Sequence, residues 1–106
     1  MTEWQKKKVR EIAAHYGIKS QEQVAIEECA ELIQAITKSN REITASKPGE
    51  QCAKEYVKKI GDVAGEIADV RIMCEQLTYL YGIGELVKEQ IDFKIARQLG
   101  RMEKGE

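Results

Sequence analysis

Residues 25–36, AIEECAELIQAI, and residues 65–77, GEIADVRIMCEQL, place carboxylates inside apolar stripes of helical period. At about 100° per residue on a helical wheel, Glu28 is flanked on its own face by Val24, Ala25, Leu32 and Ala35, with Glu31 at the edge. The same wheel sets Glu66 among Val63, Val70, Met73 and Leu77, with Asp62 and Asp69 along one margin. A carboxylate that faces a core must be neutralised, hydrogen-bonded or matched by a cation, because desolvating an unpaired charge costs several kcal/mol or more. Two helices that bring such groups together make an oxygen-rich acidic site, the ligand set of a hard divalent cation. Mg²⁺ in particular keeps coordination positions for water and substrate phosphates.

Working outward, the helical period persists through nearly the whole chain. Thr2 with Gln5, and Ser20 with Gln23, have capping-box spacing, which predicts helices from about residue 3 to His15 and from about Gln21 to Ser39. YGIKS forms the turn between them, and the polar stretch SNREITASKPGE, with Pro48 and Gly49, reads as a long loop. A third helical pattern runs from about Glu50 to Tyr81, with Gly61 and Gly65 marking a bend or a close helix crossing. After YGIG, a fourth helix from about Glu85 to Gly100 carries Leu86, Val87, Ile91, Ile95 and Leu99 on one stripe. No β-alternation and no long internal repeat is present. The expectation is an all-α fold, residues 1–106 forming a single four-helix, bundle-like domain.

Composition narrows the classes. A chain of 106 residues with 42% apolar content fits one small domain that gains from oligomerisation. Seventeen basic and eighteen acidic residues leave a net charge of −1, which gives no reason to expect nucleic acid or an anionic membrane as partner. The apolar runs are too short to span a bilayer, and MTEWQKKKVREIAAHYG lacks the apolar region of a signal peptide, so a cytoplasmic protein is expected. Cys29, Cys52 and Cys74 are odd in number and widely spaced, with His15 as the one histidine, which argues against a zinc site or a disulfide framework. Cys29 and Cys74 read as small core residues, and His15 as capping the dipole of a helix C-terminus rather than binding metal.

The motifs Glu27-Glu28-Cys29-Ala30-Glu31 and Glu66-Ile67-Ala68-Asp69 resemble the E-E-x-x-E and E-x-x-D signatures of the MazG-like all-α nucleotide pyrophosphohydrolases, a group that includes dimeric dUTPases and phosphoribosyl-ATP pyrophosphohydrolase. The resemblance extends over roughly residues 20 to 101. It implies Mg²⁺-dependent cleavage of a nucleoside triphosphate to the monophosphate and pyrophosphate, with Mn²⁺ as a substitute metal, in a homodimer or homotetramer. It further implies Glu28, Glu31, Glu66 and Asp69 as metal ligands, with Glu27 in a supporting role, positioning water or a second metal. In the last helix Lys94 and Arg101 match the phosphate-contacting pattern, while Gln98 stands where asparagine is expected. The gap between Glu31 and Glu66 is longer than in compact members of the group.

The chemistry can also be stated from the residues. Triphosphate hydrolysis needs phosphate charge masked, a water delivered in line and the leaving pyrophosphate stabilised. Carboxylates meeting across two helices would hold the metal, Glu27 or Glu31 would accept a proton, and Lys94 and Arg101 would bind the outer phosphates. Trp4, Tyr56, Tyr79 and Tyr81 are candidates by residue type for the base pocket. Two other classes compete. A ferritin-like di-iron centre pairs Glu with E-x-x-H, and His15 is in neither motif. A non-catalytic helical dimerisation or interaction module would show heptad regularity without core-facing acids, and Glu28 and Glu66 break that pattern.

Overall fold

The computed structural model describes residues 1–45 and 50–106, with side chains at 1–38 and 53–106. Four helices follow in order: α1 (Glu3–Tyr16), α2 (Ile18–Ala45), α3 (Glu50–Tyr81) and α4 (Gly84–Glu103), with no strand among the described residues. The all-α expectation is met. No helix among the described residues is long and apolar enough to cross a membrane.

The capping box at the start of α1 forms. The Gln5 backbone N–H donates to Thr2 Oγ1 at 3.0 Å and the Thr2 N–H to Gln5 Oε1 at 2.8 Å, which satisfies two of the donors a helix start leaves open. Gly17, at φ 87°, then turns the chain and donates its N–H to the Ala13 carbonyl. The Gly17 carbonyl already accepts the Gln21 N–H at 3.1 Å, so α2 restarts at Ile18. Ser20 therefore lies inside the helix, its hydroxyl donating to Gln21 Oε1, and the capping box expected at Ser20–Gln23 does not form. Nor does α2 end near Ser39. It continues to Ala45, because NREITA is polar but contains no residue that breaks a helix. The loop expected around Pro48 and Gly49 falls outside the described residues.

Helix α3 passes unbroken through Gly61 and Gly65, and a Cβ built at either glycine meets nothing within 4 Å. Neither marks a close crossing. At its end Gly82, with φ 66°, donates to Tyr79 O and Ile83 to Thr78 O, the paired bonds of a Schellman turn.

The main packing is α2 against α3, with α1 laid across both and α4 touching little beyond the end of α3. Val9, Ala13, Ala25 and Met73 are the buried apolar residues among those described. In the seam, Gln21 Nε2 donates to Gln76 Oε1 at 2.7 Å with both residues buried, and Tyr81 Oη donates to Glu22 at 2.5 Å. Cys29 and Cys74 are not core residues, contrary to expectation. Both are exposed, because the flanks of the α2–α3 seam rather than its centre carry them. Burial of the sulfur and then the nearby Cys29 still raise the Cys74 thiol above its ordinary range. The α4 stripe is equally uncovered within the chain: Leu86, Ile91, Ile95 and Leu99 are all more than half exposed.

Candidate metal centre

Antiparallel packing of α2 on α3 turns the two motifs toward each other. Val24, Ala25, Leu32 and Ala35 are buried or half-buried around Glu28, and Val63, Val70, Met73 and Leu77 around Glu66. This is the face assignment that the 3.6-residue period requires. Carboxylate oxygens of Glu28, Glu31 and Glu66 lie within 4.8 Å of one another, close enough to share one cation.

The electrostatics of the cluster are repulsive. Burial, followed by the charges of Glu31, Asp69 and Glu66, holds the Glu28 carboxyl above its ordinary range. Burial, Glu31 and Asp69 do the same to Glu66, with Asp62 adding a smaller push. Glu28 and Glu66 are half-buried as residues, yet Oε2 of each is covered and has no hydrogen-bond partner among the described residues. Glu31 is near enough to share a proton with either neighbour. When all three are ionised, however, none of them has a proton to donate. Two covered acceptors without donors in a like-charged trio are a chemical fit for a hard divalent cation, with Glu28, Glu31 and Glu66 as the oxygen donors and Asp69 beside them.

The other expected site residues are distributed unevenly. Asp69 joins the cluster through its charge and lines the adjoining cleft. Glu27 points away, exposed and accepting from Gln23 Nε2 at 3.4 Å. Lys94, Gln98 and Arg101 are exposed on α4, which makes no contact with α2 among the described residues, and none of the three lines the cleft beside Glu66. The route from Glu66 to the end of α3 is about 22 Å of helix at 1.5 Å per residue, and α4 begins only after it. The aromatic candidates Trp4, Tyr79 and Tyr81 also stand elsewhere, while Tyr56 is exposed on α3 one helical turn before Lys59. Trp4 lines a separate cavity of about 360 Å³ with Met1, Val9, Ile12 and Ile72, Tyr79 lies under the Arg10 guanidinium, and Tyr81 is tied to Glu22.

Sequence reasoning missed two lysines. Beside Glu66 is a cleft of about 410 Å³ lined by Lys38 of α2 and by Lys59, Asp62 and Asp69 of α3, with Ala35, Gly61 and Gly65 as its small walls. Lys59 is 8% exposed. The signal was available, since Lys38 is seven residues after Glu31 and Lys59 seven before Glu66, two helical turns along the same faces. In comparisons with known proteins, the chain matches no family model, no curated protein and no solved structure.

Proposed function

We propose that this chain is a Mg²⁺-dependent nucleoside triphosphate pyrophosphohydrolase of the MazG-like kind, acting in the cytoplasm on ribo- or deoxyribonucleotides. The observation that carries the reading is the pair of covered oxygens on Glu28 and Glu66 that have no hydrogen-bond partner among the described residues, within one carboxylate cluster. A surface acidic patch would leave these oxygens in water. Bound at the cluster, Mg²⁺ supplies charge neutralisation to phosphate oxygens and acidifies water. Glu31, the exposed member of the trio, is placed to accept the proton of the attacking water, while Glu28 and Glu66 keep their orientation through the apolar packing around them. Asp69 completes the ligand set.

The same reading gives the exposed α4 stripe a purpose. In a homodimer, or a tetramer built from dimers, α4 is covered by a second copy, and Lys94, Gln98 and Arg101 of one copy reach the phosphates held by another. A non-catalytic interaction module is favoured by the uncovered stripe alone, and it leaves the buried carboxylates without a reason. The test is a screen of ribo- and deoxyribonucleoside triphosphates with Mg²⁺, separating pyrophosphate from orthophosphate. Monophosphate and pyrophosphate in equal amounts, lost in Glu66→Gln, are expected. Orthophosphate with a diphosphate, or equal turnover by a folded Glu66→Gln protein, would overturn the assignment.

A further inference from the structure

The cleft beside Glu66 is distinct in chemistry from the metal cluster it adjoins. Among the described residues its walls are Lys38 and Lys59, the acids Asp62, Glu66 and Asp69, and the small residues Ala35, Gly61 and Gly65, none of them aromatic or large and apolar. A nucleobase finds no stacking surface there. A chain of phosphates does find what it needs: ammonium donors at one side, and at the other carboxylates that bind it through a shared cation. Lys59 is a buried residue, and the covered Oε2 of Glu66 has no donor among the described residues. Lys38 and Lys59 both also engage other groups of the chain.

The glycines supply an independent argument. Glycine inside a helix is unfavourable relative to alanine, so Gly61 and Gly65 weaken α3. Among the described residues neither packs against a neighbour, since a Cβ at either meets nothing within 4 Å. What they do is leave the cleft open.

Resting on the pyrophosphohydrolase reading, we infer that this cleft is the seat of the substrate's outer two phosphates and so of the pyrophosphate product, with Lys38 and Lys59 as its cationic side. The nucleoside then lies outside it.

Calorimetric titration of inorganic pyrophosphate into the Mg²⁺-loaded protein tests this, with Mg²⁺ alone titrated in parallel. Wild type binds pyrophosphate, and Lys38→Gln weakens it about tenfold or more, the scale of one lost charge-assisted hydrogen bond. Gly61→Leu, which fills the cleft, melts at a higher temperature and loses pyrophosphate by a similar factor. Both variants bind Mg²⁺ alone as wild type does. Lys59→Gln is the supplementary variant, because replacing a buried residue risks the fold. Unchanged pyrophosphate affinity in folded Lys38→Gln and Gly61→Leu, or no pyrophosphate binding by a wild type that cleaves triphosphates, overturns the inference. Absence of triphosphate cleavage with pyrophosphate binding intact and lost in the variants would instead overturn the hydrolase reading and leave the pyrophosphate seat standing.

Discussion

Glu28 and Glu66 take up protons more readily in the folded chain than in an unfolded one, since burial and the charges of Glu31 and Asp69 lift both above the ordinary 4.5. The native state binds more protons at these positions, so their contribution favours folding below pH 4.5 and is lost as pH rises through the raised folded values. At neutral pH the ionised metal-free cluster opposes folding. The melting temperature of the metal-free protein should therefore fall across that window, with a shallower fall in Glu28→Gln and Glu66→Gln, read by circular dichroism in a pH series. Parallel curves for wild type and both variants would show that the cluster is not strained. In catalysis, Glu66→Gln or Asp69→Asn should lower triphosphate cleavage by about two orders of magnitude or more while the fold survives. At this scale the sequence was most legible for Glu28, Glu31 and Glu66, because helical period alone sets which carboxylates share a face. It was least legible for Lys38 and Lys59, whose place beside the acids depends on the register of α2 against α3.

Between elements, the α2–α3 seam is fixed by the Gln21–Gln76 hydrogen bond as well as by packing. Removing one partner strands a buried amide, so Gln76→Ala should cost about 1–3 kcal/mol in denaturant unfolding. Gln21→Leu with Gln76→Leu should recover most of that loss, because no polar group is then left unpaired. A double variant as unstable as Gln76→Ala would mean that side-chain shape rather than polar satisfaction governs the site. Four helices, and the Thr2–Gln5 cap, could be read from period and capping residues. Their ends could not. Polarity in SNREITA suggested a loop, yet only glycine, proline or a competing cap stops a helix, and Ser20 could not cap once Gly17 had already turned the chain.

The whole chain is more extended than its length requires. Its radius of gyration is 17.7 Å, where a compact domain of this size has about 13 Å. With four buried apolar residues among those described and an uncovered α4 stripe, the missing core is expected from association with further copies. Wild type should sediment as a dimer or larger in a concentration-dependent way. Ile91→Glu with Ile95→Glu should shift it toward slower species and lower its melting temperature. A concentration-independent monomer with full pyrophosphohydrolase activity would remove association from the account. The sequence hinted at this through its many apolar stripes, but which stripe stays uncovered is a property of tertiary packing.

The central claim is that Glu28, Glu31 and Glu66 form a divalent-cation site, and its most direct test is titration of Mn²⁺ into the protein, followed by electron paramagnetic resonance of the free ion. Wild type should take up Mn²⁺ in competition with Mg²⁺, more weakly as pH falls toward 4.5 because protons compete for the same oxygens. Folded Glu28→Gln and Glu66→Gln proteins should leave the Mn²⁺ free. Equal uptake by wild type and both variants, or no uptake by wild type even with a non-hydrolysable triphosphate present, would contradict it.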